Sequence, residues 1–138
     1  MSIEVTRDTF RLAQVFTISR GSRTEAKVLT VKITRDGVTG WGECVPYARY
    51  DETLESVTEE IAGLPADVSR AALQELLPAG AARNAVDCAL WDLEAKAQGK
   101  RVWELLGQPK PGPEITAYTL SPETPENMQA QAAKNAAR

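Results

Sequence analysis

The sequence contains no histidine among its 138 residues. Histidine is the commonest general acid or base in enzymes and a frequent metal ligand. Its absence excludes histidine-dependent catalytic triads, histidine-ligated metal sites and histidine general bases from this chain. Any chemistry performed by these residues has to use carboxylates, lysine, arginine, tyrosine or backbone groups.

Cysteine is also scarce, with only Cys44 and Cys88 in the chain. The two residues lie far apart in the sequence and form no CxxC motif, so the pattern indicates neither a zinc site nor a disulfide framework. Both cysteines are therefore predicted to be reduced residues that pack in the core.

The chain lacks a long apolar run and an excess of positive charge. No segment approaches the about 18 apolar residues that indicate a membrane span, and the polar and acidic start, Met1–Val5, does not resemble a signal peptide. We therefore predict a cytoplasmic protein with no membrane partner. The net charge of −3 and the absence of a Lys/Arg cluster argue against nucleic-acid binding.

Three alternating segments predict a small antiparallel sheet. Ile3–Phe16 alternates loosely, with an interruption or a bend expected near Arg7 and Asp8, and Val28–Thr34 alternates strictly. Asp36-Gly37 is a strong hairpin signal because a tight turn needs positive φ, and Val38–Cys44 is the return strand. These segments predict a three-stranded meander with two loops, at residues 17–24 and 46–51.

The hydrophobic spacing becomes helical after the second loop. Thr53 or Asp51 is available to cap a first helix, and Ser69 to cap a second. A longer helix ends before Gly99, a residue suited to the left-handed position that follows a helix. The pattern predicts helices at about 54–64, 70–77, 81–98 and 102–106.

A proline-rich linker at residues 109–113 separates the helices from a last predicted strand, Ile115–Leu120, and a helix, Pro125–Ala136. One strand and one helix cannot bury their own apolar faces, so the unit is expected to be an incomplete part of a larger fold. The alternative is an edge strand that pairs back onto the meander.

Three segments resemble the N-terminal capping domain of the enolase superfamily, in its muconate-lactonizing-like branch. They are Gly40-Trp41-Gly42-Glu43, the helical segment Ala85–Lys100, and Val102–Gly107. Within that branch, three further segments are similar to bacterial L-Ala-D/L-Glu (dipeptide) epimerases: Phe16–Ala26, Glu43–Tyr50 and Leu77–Ala85.

The resemblance implies an α+β capping domain over residues 1–112, built from the three-stranded antiparallel meander and a helical cluster. Residues 113–138 would be the first strand and helix of a (β/α)₈ barrel that is incomplete in this chain. The remainder of the barrel is then an expected partner, and a homo-oligomer is left open.

The resemblance also implies a Mg²⁺-dependent isomerase that inverts the α-carbon of the glutamate in a dipeptide. In that family the barrel supplies the carboxylates that bind Mg²⁺ and a lysine on each side of the substrate, one removing the α-proton and the other returning it. The metal stabilises the enediolate that develops when a weakly acidic α-proton is removed. We expect neither a catalytic residue nor a metal ligand in these 138 residues.

Four residues are expected to bind the dipeptide through loops that cover the barrel mouth. Arg23 would hold a carboxylate bidentately, with Arg20 as a competing candidate, and Thr119 would hydrogen-bond the dipeptide backbone. Tyr50 would face the pocket from the second loop, and Phe16 would form an apolar wall. The alternatives are a solvated surface charge for each arginine and structural roles for Thr119, Tyr50 and Phe16.

Two other functions are open on the sequence alone. The first is the capping domain of a related cycloisomerase or o-succinylbenzoate synthase, for which an arginine that binds the dipeptide is less expected. The second is a non-catalytic binding or assembly domain, if 138 residues are the natural chain.

Overall fold

The structure is a computed structural model and describes residues 1–19 and 21–136. The chain forms two compact units. The first consists of Met1–Thr9 and Lys27–Pro111, and the second of Phe10–Ala26 together with the chain from Gly112 onward. The predicted domain boundary at residues 112 and 113 stays a prediction.

Three strands form one antiparallel sheet in the order β1-β2-β3, as the sequence predicts. They are β1 (Ser2–Ile18), β2 (Gly21–Arg35) and β3 (Val38–Cys44). The strand is not interrupted near Arg7 and Asp8, because β1 runs through both residues. The loop predicted at residues 17–24 is also mostly strand. Most side chains there are exposed, so no hydrophobic alternation marked the strands.

The turn between β2 and β3 is confirmed. Asp36 and Gly37 have φ values of 50° and 79°, and they separate the paired residues Arg35 and Val38. Positive φ at both central residues is the requirement of a type I′ turn, which matches the twist of the flanking strands. From this turn the antiparallel register extends to the pair of Leu29 with Cys44.

Helices follow the sheet where the spacing predicts them. Thr53 caps the first with a reciprocal capping box to Ser56, and Ser69 caps the second by accepting from the Ala72 N–H. No helix among the described residues is both long and apolar enough to cross a membrane. The helices are α1 (Leu54–Ala62), α2 (Arg70–Leu76), α3 (Ala81–Ala97), α4 (Val102–Leu105) and α5 (Pro125–Ala136).

The core of the first unit lies between the sheet and α3. Gly40 and Gly42 face the helix so closely that an added Cβ would lie 2.1 Å from the Ala89 carbonyl oxygen and 2.0 Å from that of Ala85, respectively. Two side chains are thus absent where helix and strand backbones meet. The largest fully buried side chains around this contact are those of Leu29, Val31, Ile33, Val57, Ile61, Val68, Leu73, Val86 and Leu90.

The strand predicted over Ile115–Leu120 is not formed in the described chain. Residues 108–124 have no regular secondary structure, and the Ile115 side chain is fully exposed. A strand exists only through ladder hydrogen bonds to a neighbour, and no described strand pairs with this segment. The helix predicted next, α5, is present.

Candidate functional site

The tip of the β1–β2 hairpin carries two of the four predicted substrate-binding residues. The hydroxyls of Thr17 and Ser22 are 2.9 Å apart, so these residues share one face of the hairpin. Side chains alternate along a strand, which places Phe16 and Arg23 together on the opposite face. Arg23 is exposed and Phe16 is 38% exposed. An apolar ring and a guanidinium on one accessible face can contact a ligand that has both apolar and acidic parts. Arg20 lies outside the described residues.

Thr119 belongs to the same compact unit as this hairpin and is exposed in the irregular segment after the proline linker. Two residues later, Ser121 is only 2% exposed and bonds the backbone of β1. The Thr17 N–H donates to the Ser121 Oγ at 3.2 Å, and the Ser121 hydroxyl donates to the Val15 carbonyl oxygen at 3.3 Å. Ser121 was missed in the sequence because a lone serine in an irregular segment has no pattern.

Tyr50 belongs to the first unit, in the loop that follows β3. This loop contains a short 3₁₀ helix, Ala48–Tyr50, and ends at Asp51, which has a positive φ of 59°. The Tyr50 side chain is 71% exposed, and its ring lies against the Tyr47 ring with centroids 5.8 Å apart. The hydroxyl is thus available to a ligand while the ring packs against its neighbour.

Glu52 fixes this loop to the start of α3. One carboxylate oxygen accepts the Tyr47 N–H at 3.0 Å, and the other accepts the Ala81 N–H at 2.6 Å. The residue before α3 is Gly80, which has no side chain to cap the helix. Glu52 therefore supplies the cap from outside the helix, where the positive end of the helix dipole also favours its charge.

Replacement of Glu52 with glutamine is expected to lower the free energy of unfolding by about 1–2 kcal/mol. An amide has only one acceptor oxygen, so either the Tyr47 or the Ala81 N–H loses its partner. Urea unfolding would measure the effect. Glu59→Gln on α1 is the matched control, since it removes the same charge from an exposed residue. Equal unfolding midpoints for the two variants would contradict the capping role.

The Glu43 carboxylate makes no hydrogen bond among the described residues, and the backbone carbonyl of Glu43 accepts from the Asn84 side chain. On α3, Asp87 accepts from the Gln74 side-chain amide at 3.5 Å, and Asp92 forms an i,i+4 ion pair with Lys96.

The two cysteines differ from each other. Cys44 is buried and Cys88 is exposed, so the prediction of two buried cysteines is half wrong. Burial, together with the nearby carboxylates of Glu52 and Glu43, raises the pKa of the Cys44 thiol from 9.0 to about 11. Cys44 is therefore a neutral packing residue at physiological pH.

The described residues offer no metal site. They contain no group of three or more histidine, cysteine, aspartate or glutamate side chains that could hold an ion. Mg²⁺ binds through clustered oxygen ligands, so the described part of the chain does not fit such an ion. No step of a reaction is assigned to a metal held here.

Three of the four predicted binding residues thus belong to the second unit, and Tyr50 belongs to the first. Within the second unit, Phe16 and Arg23 share one face of the hairpin. Ser121 connects the segment of Thr119 to β1, the strand that contains Phe16. Their roles in binding stay predictions.

The chain spans less than half the length of the curated relatives that it matches. The chain is 44% identical over 131 residues to the L-Ala-D/L-Glu epimerase of Escherichia coli, covering 92% of this chain and 41% of that protein. It is 45% identical over 108 residues to an N-acetyl-D-glutamate racemase from Pseudoalteromonas, covering 74% of this chain and 34% of that protein.

Solved structures share the fold. An enolase family member from Agrobacterium tumefaciens with homology to dipeptide epimerases, which contains sodium and L-Ala-L-Glu, superposes with a TM-score of 0.91. It is 50% identical and matches over 99% of this chain and 43% of its own. A dipeptide epimerase from Methylococcus capsulatus, in complex with Mg and L-Arg-D-Lys, has a TM-score of 0.82 at 31% identity, over 99% of this chain and 42% of its own.

Residues 1–107 match the family described as mandelate racemase / muconate lactonizing enzyme, N-terminal domain. The three-stranded antiparallel sheet and the helices packed on it have the architecture of that domain. The chain therefore belongs to the mandelate racemase / muconate lactonizing enzyme family of the enolase superfamily.

Proposed function

We propose that this chain is the N-terminal part of a Mg²⁺-dependent dipeptide epimerase that inverts the glutamate α-carbon of L-Ala-D/L-Glu. The observation that carries the proposal is the 44% identity to the E. coli L-Ala-D/L-Glu epimerase over 131 residues. The A. tumefaciens structure that contains L-Ala-L-Glu, 50% identical to this chain, supports the same substrate class.

In this proposal the chain binds substrate, and proton transfer is performed by lysines outside it. Arg23 pairs with a substrate carboxylate, Phe16 contacts the alanine side chain, and Thr119 bonds the dipeptide backbone. Tyr50, in the loop after β3, also contacts the substrate. The accessible Phe16 and Arg23 face of the hairpin supports these roles, because it presents an apolar and a cationic group together.

Mg²⁺ would supply charge stabilisation for the enediolate when bound. In this proposal its ligands lie outside the described residues, which contain no cluster of three or more potential metal ligands. The chain's own contribution is to orient the dipeptide and exclude water above the reacting carbon.

The complete reading frame that encodes this chain, expressed and supplied with Mg²⁺, is expected to exchange the glutamate α-proton of L-Ala-L-Glu for deuterium in D₂O. Proton NMR would follow the loss of that signal and the appearance of the L-Ala-D-Glu diastereomer. The alanine α-proton is an internal control and should not exchange. Absence of exchange across a panel of acyl dipeptides would contradict the proposal.

A second candidate is racemisation of an N-acylated glutamate that is not a dipeptide. The 45% identity to the Pseudoalteromonas N-acetyl-D-glutamate racemase favours it. Both substrates present the same reacting carbon and differ in the acyl group, which has an amino group only in the dipeptide. The ratio of kcat/KM for L-Ala-L-Glu to that for N-acetyl-L-glutamate would separate the two activities.

Two alternatives from the sequence have a direct test. A cycloisomerase or o-succinylbenzoate synthase would turn over its own substrate and leave the glutamate α-proton in place. A non-catalytic binding or assembly domain would be a natural chain of this length. The intact mass of the protein from its native source would identify that case.

A further inference from the structure

We infer that Ser121 is a positioning residue that sets Thr119 in place against the Phe16 and Arg23 face of the hairpin. The inference rests on the proposed dipeptide-epimerase function and adds a residue to its binding site. Ser121 does not touch substrate in this scheme. It acts through the two segments that its hydroxyl joins.

The hydroxyl of Ser121 takes the place of a neighbouring strand. The Ser121 Oγ accepts a hydrogen bond from the Thr17 N–H at 3.2 Å, and the Ser121 hydroxyl donates one to the Val15 carbonyl oxygen at 3.3 Å. Alternate residues of a strand direct their backbone groups to the same edge. One side chain therefore satisfies a donor and an acceptor at one edge of β1, as the backbone of a paired strand would.

The position of these two bonds connects them to the predicted site. Val15 and Thr17 flank Phe16, so Ser121 holds the backbone on both sides of that residue. Thr119 is two residues from Ser121, and two residues of chain span at most about 7 Å. The hairpin face and the Thr119 hydroxyl thus share a common anchor within the second unit.

The local surroundings make this anchor dependent on the hydroxyl. Ser121 is buried, whereas the preceding residues from Pro111 to Tyr118 are exposed and have no regular secondary structure. Alanine would fill nearly the same space but would leave the Thr17 N–H and the Val15 carbonyl without this partner. A displaced Thr119 would make a longer and less well aligned hydrogen bond to the dipeptide, so substrate binding would weaken.

Ser121→Ala in the full-length enzyme is expected to raise KM for L-Ala-L-Glu by about tenfold and to change kcat by less than about twofold, because the lysines are unaffected. Hydrogen-exchange mass spectrometry on peptides that contain Thr17 should show faster exchange of that amide. Exchange in β2 at Val31 should stay unchanged. Ser121→Thr keeps the hydroxyl and is expected to recover most of both effects.

Thr116→Ala is the matched control, since it removes an exposed hydroxyl from the same segment. That hydroxyl donates to the carbonyl oxygen of the adjacent Ala117 and not to β1. Unchanged exchange at Thr17 in Ser121→Ala would overturn the inference. So would faster exchange there with a wild-type KM, which would leave Ser121 a purely structural role. An inactive wild-type enzyme would overturn the proposed function and not the Ser121 contact, because the exchange measurement needs no substrate.

Discussion

Replacement of Gly42 with alanine is expected to lower the free energy of unfolding by about 4 kcal/mol. The new Cβ would lie 2.0 Å from the Ala85 carbonyl oxygen and 2.9 Å from the Ala89 backbone nitrogen. Both atoms belong to the backbone of α3, so relief requires movement of the whole helix away from β3. That movement would open the core along the length of their contact. Since small domains are stable by only roughly 5–15 kcal/mol, much of the stability would be lost.

Thermal and urea unfolding would measure the effect of Gly42→Ala, with Gly112→Ala as the control. Gly112 has no atom within 4 Å of the added carbon and does not have a positive φ. Its replacement should change stability by less than about 1 kcal/mol. If Gly42→Ala unfolds at the same urea concentration as the wild type, the close approach of β3 and α3 is not a determinant of stability.

The first unit was largely predictable because its elements have strong local signals. Asp36-Gly37 fixed the position of the turn, Ser69 the start of α2, and Gly99, with φ of 63°, the end of α3. Each signal depends on a few adjacent residues. The contact of the β3 glycines with α3 required the structure, since it joins residues more than 40 positions apart.

The second unit and its site were less predictable. The outer half of the hairpin is exposed on both faces, so no alternation extended β1 and β2 through residues 17–24. The strand expected at Ile115–Leu120 has no described neighbour with which to pair. Glu52 and Ser121 act through contacts to distant backbone groups, and a single sequence contains no periodicity that marks such contacts.

Replacement of Arg23 with alanine is expected to lower kcat/KM for L-Ala-L-Glu by about 10- to 150-fold in the full-length enzyme, the range for loss of a charged hydrogen-bonded pair. The loss should be smaller for L-Ala-L-Gln, whose side chain has no negative charge. Arg23→Lys keeps the charge without the planar fork and should recover only part of the activity. Steady-state kinetics on the two dipeptides would measure the effect.

Arg11→Ala is the matched control for this experiment. Arg11 is exposed on β1, and its replacement with alanine removes the same charge as Arg23→Ala. Strand alternation places it on the face opposite Phe16, so kcat/KM should stay near the wild-type value. Equal losses of kcat/KM in Arg11→Ala and Arg23→Ala would indicate a general electrostatic attraction of the substrate. Equal losses of kcat/KM for the two dipeptides in Arg23→Ala would contradict recognition of the glutamate side-chain carboxylate by Arg23.

The loop that carries Tyr50 is held at both ends by the same helix. Before the loop, the backbone of β3 at Gly42 lies against α3 at Ala85, and after it the Glu52 carboxylate bonds the first residue of that helix, Ala81. The two contact points, Ala81 and Ala85, are four residues apart on α3, about 6 Å along the helix axis. Any adjustment of Tyr50 to a ligand is therefore confined to the few residues between the anchors. Such a motion belongs to the nanosecond-to-microsecond regime of small loops and not to the slower hinge motions of whole domains.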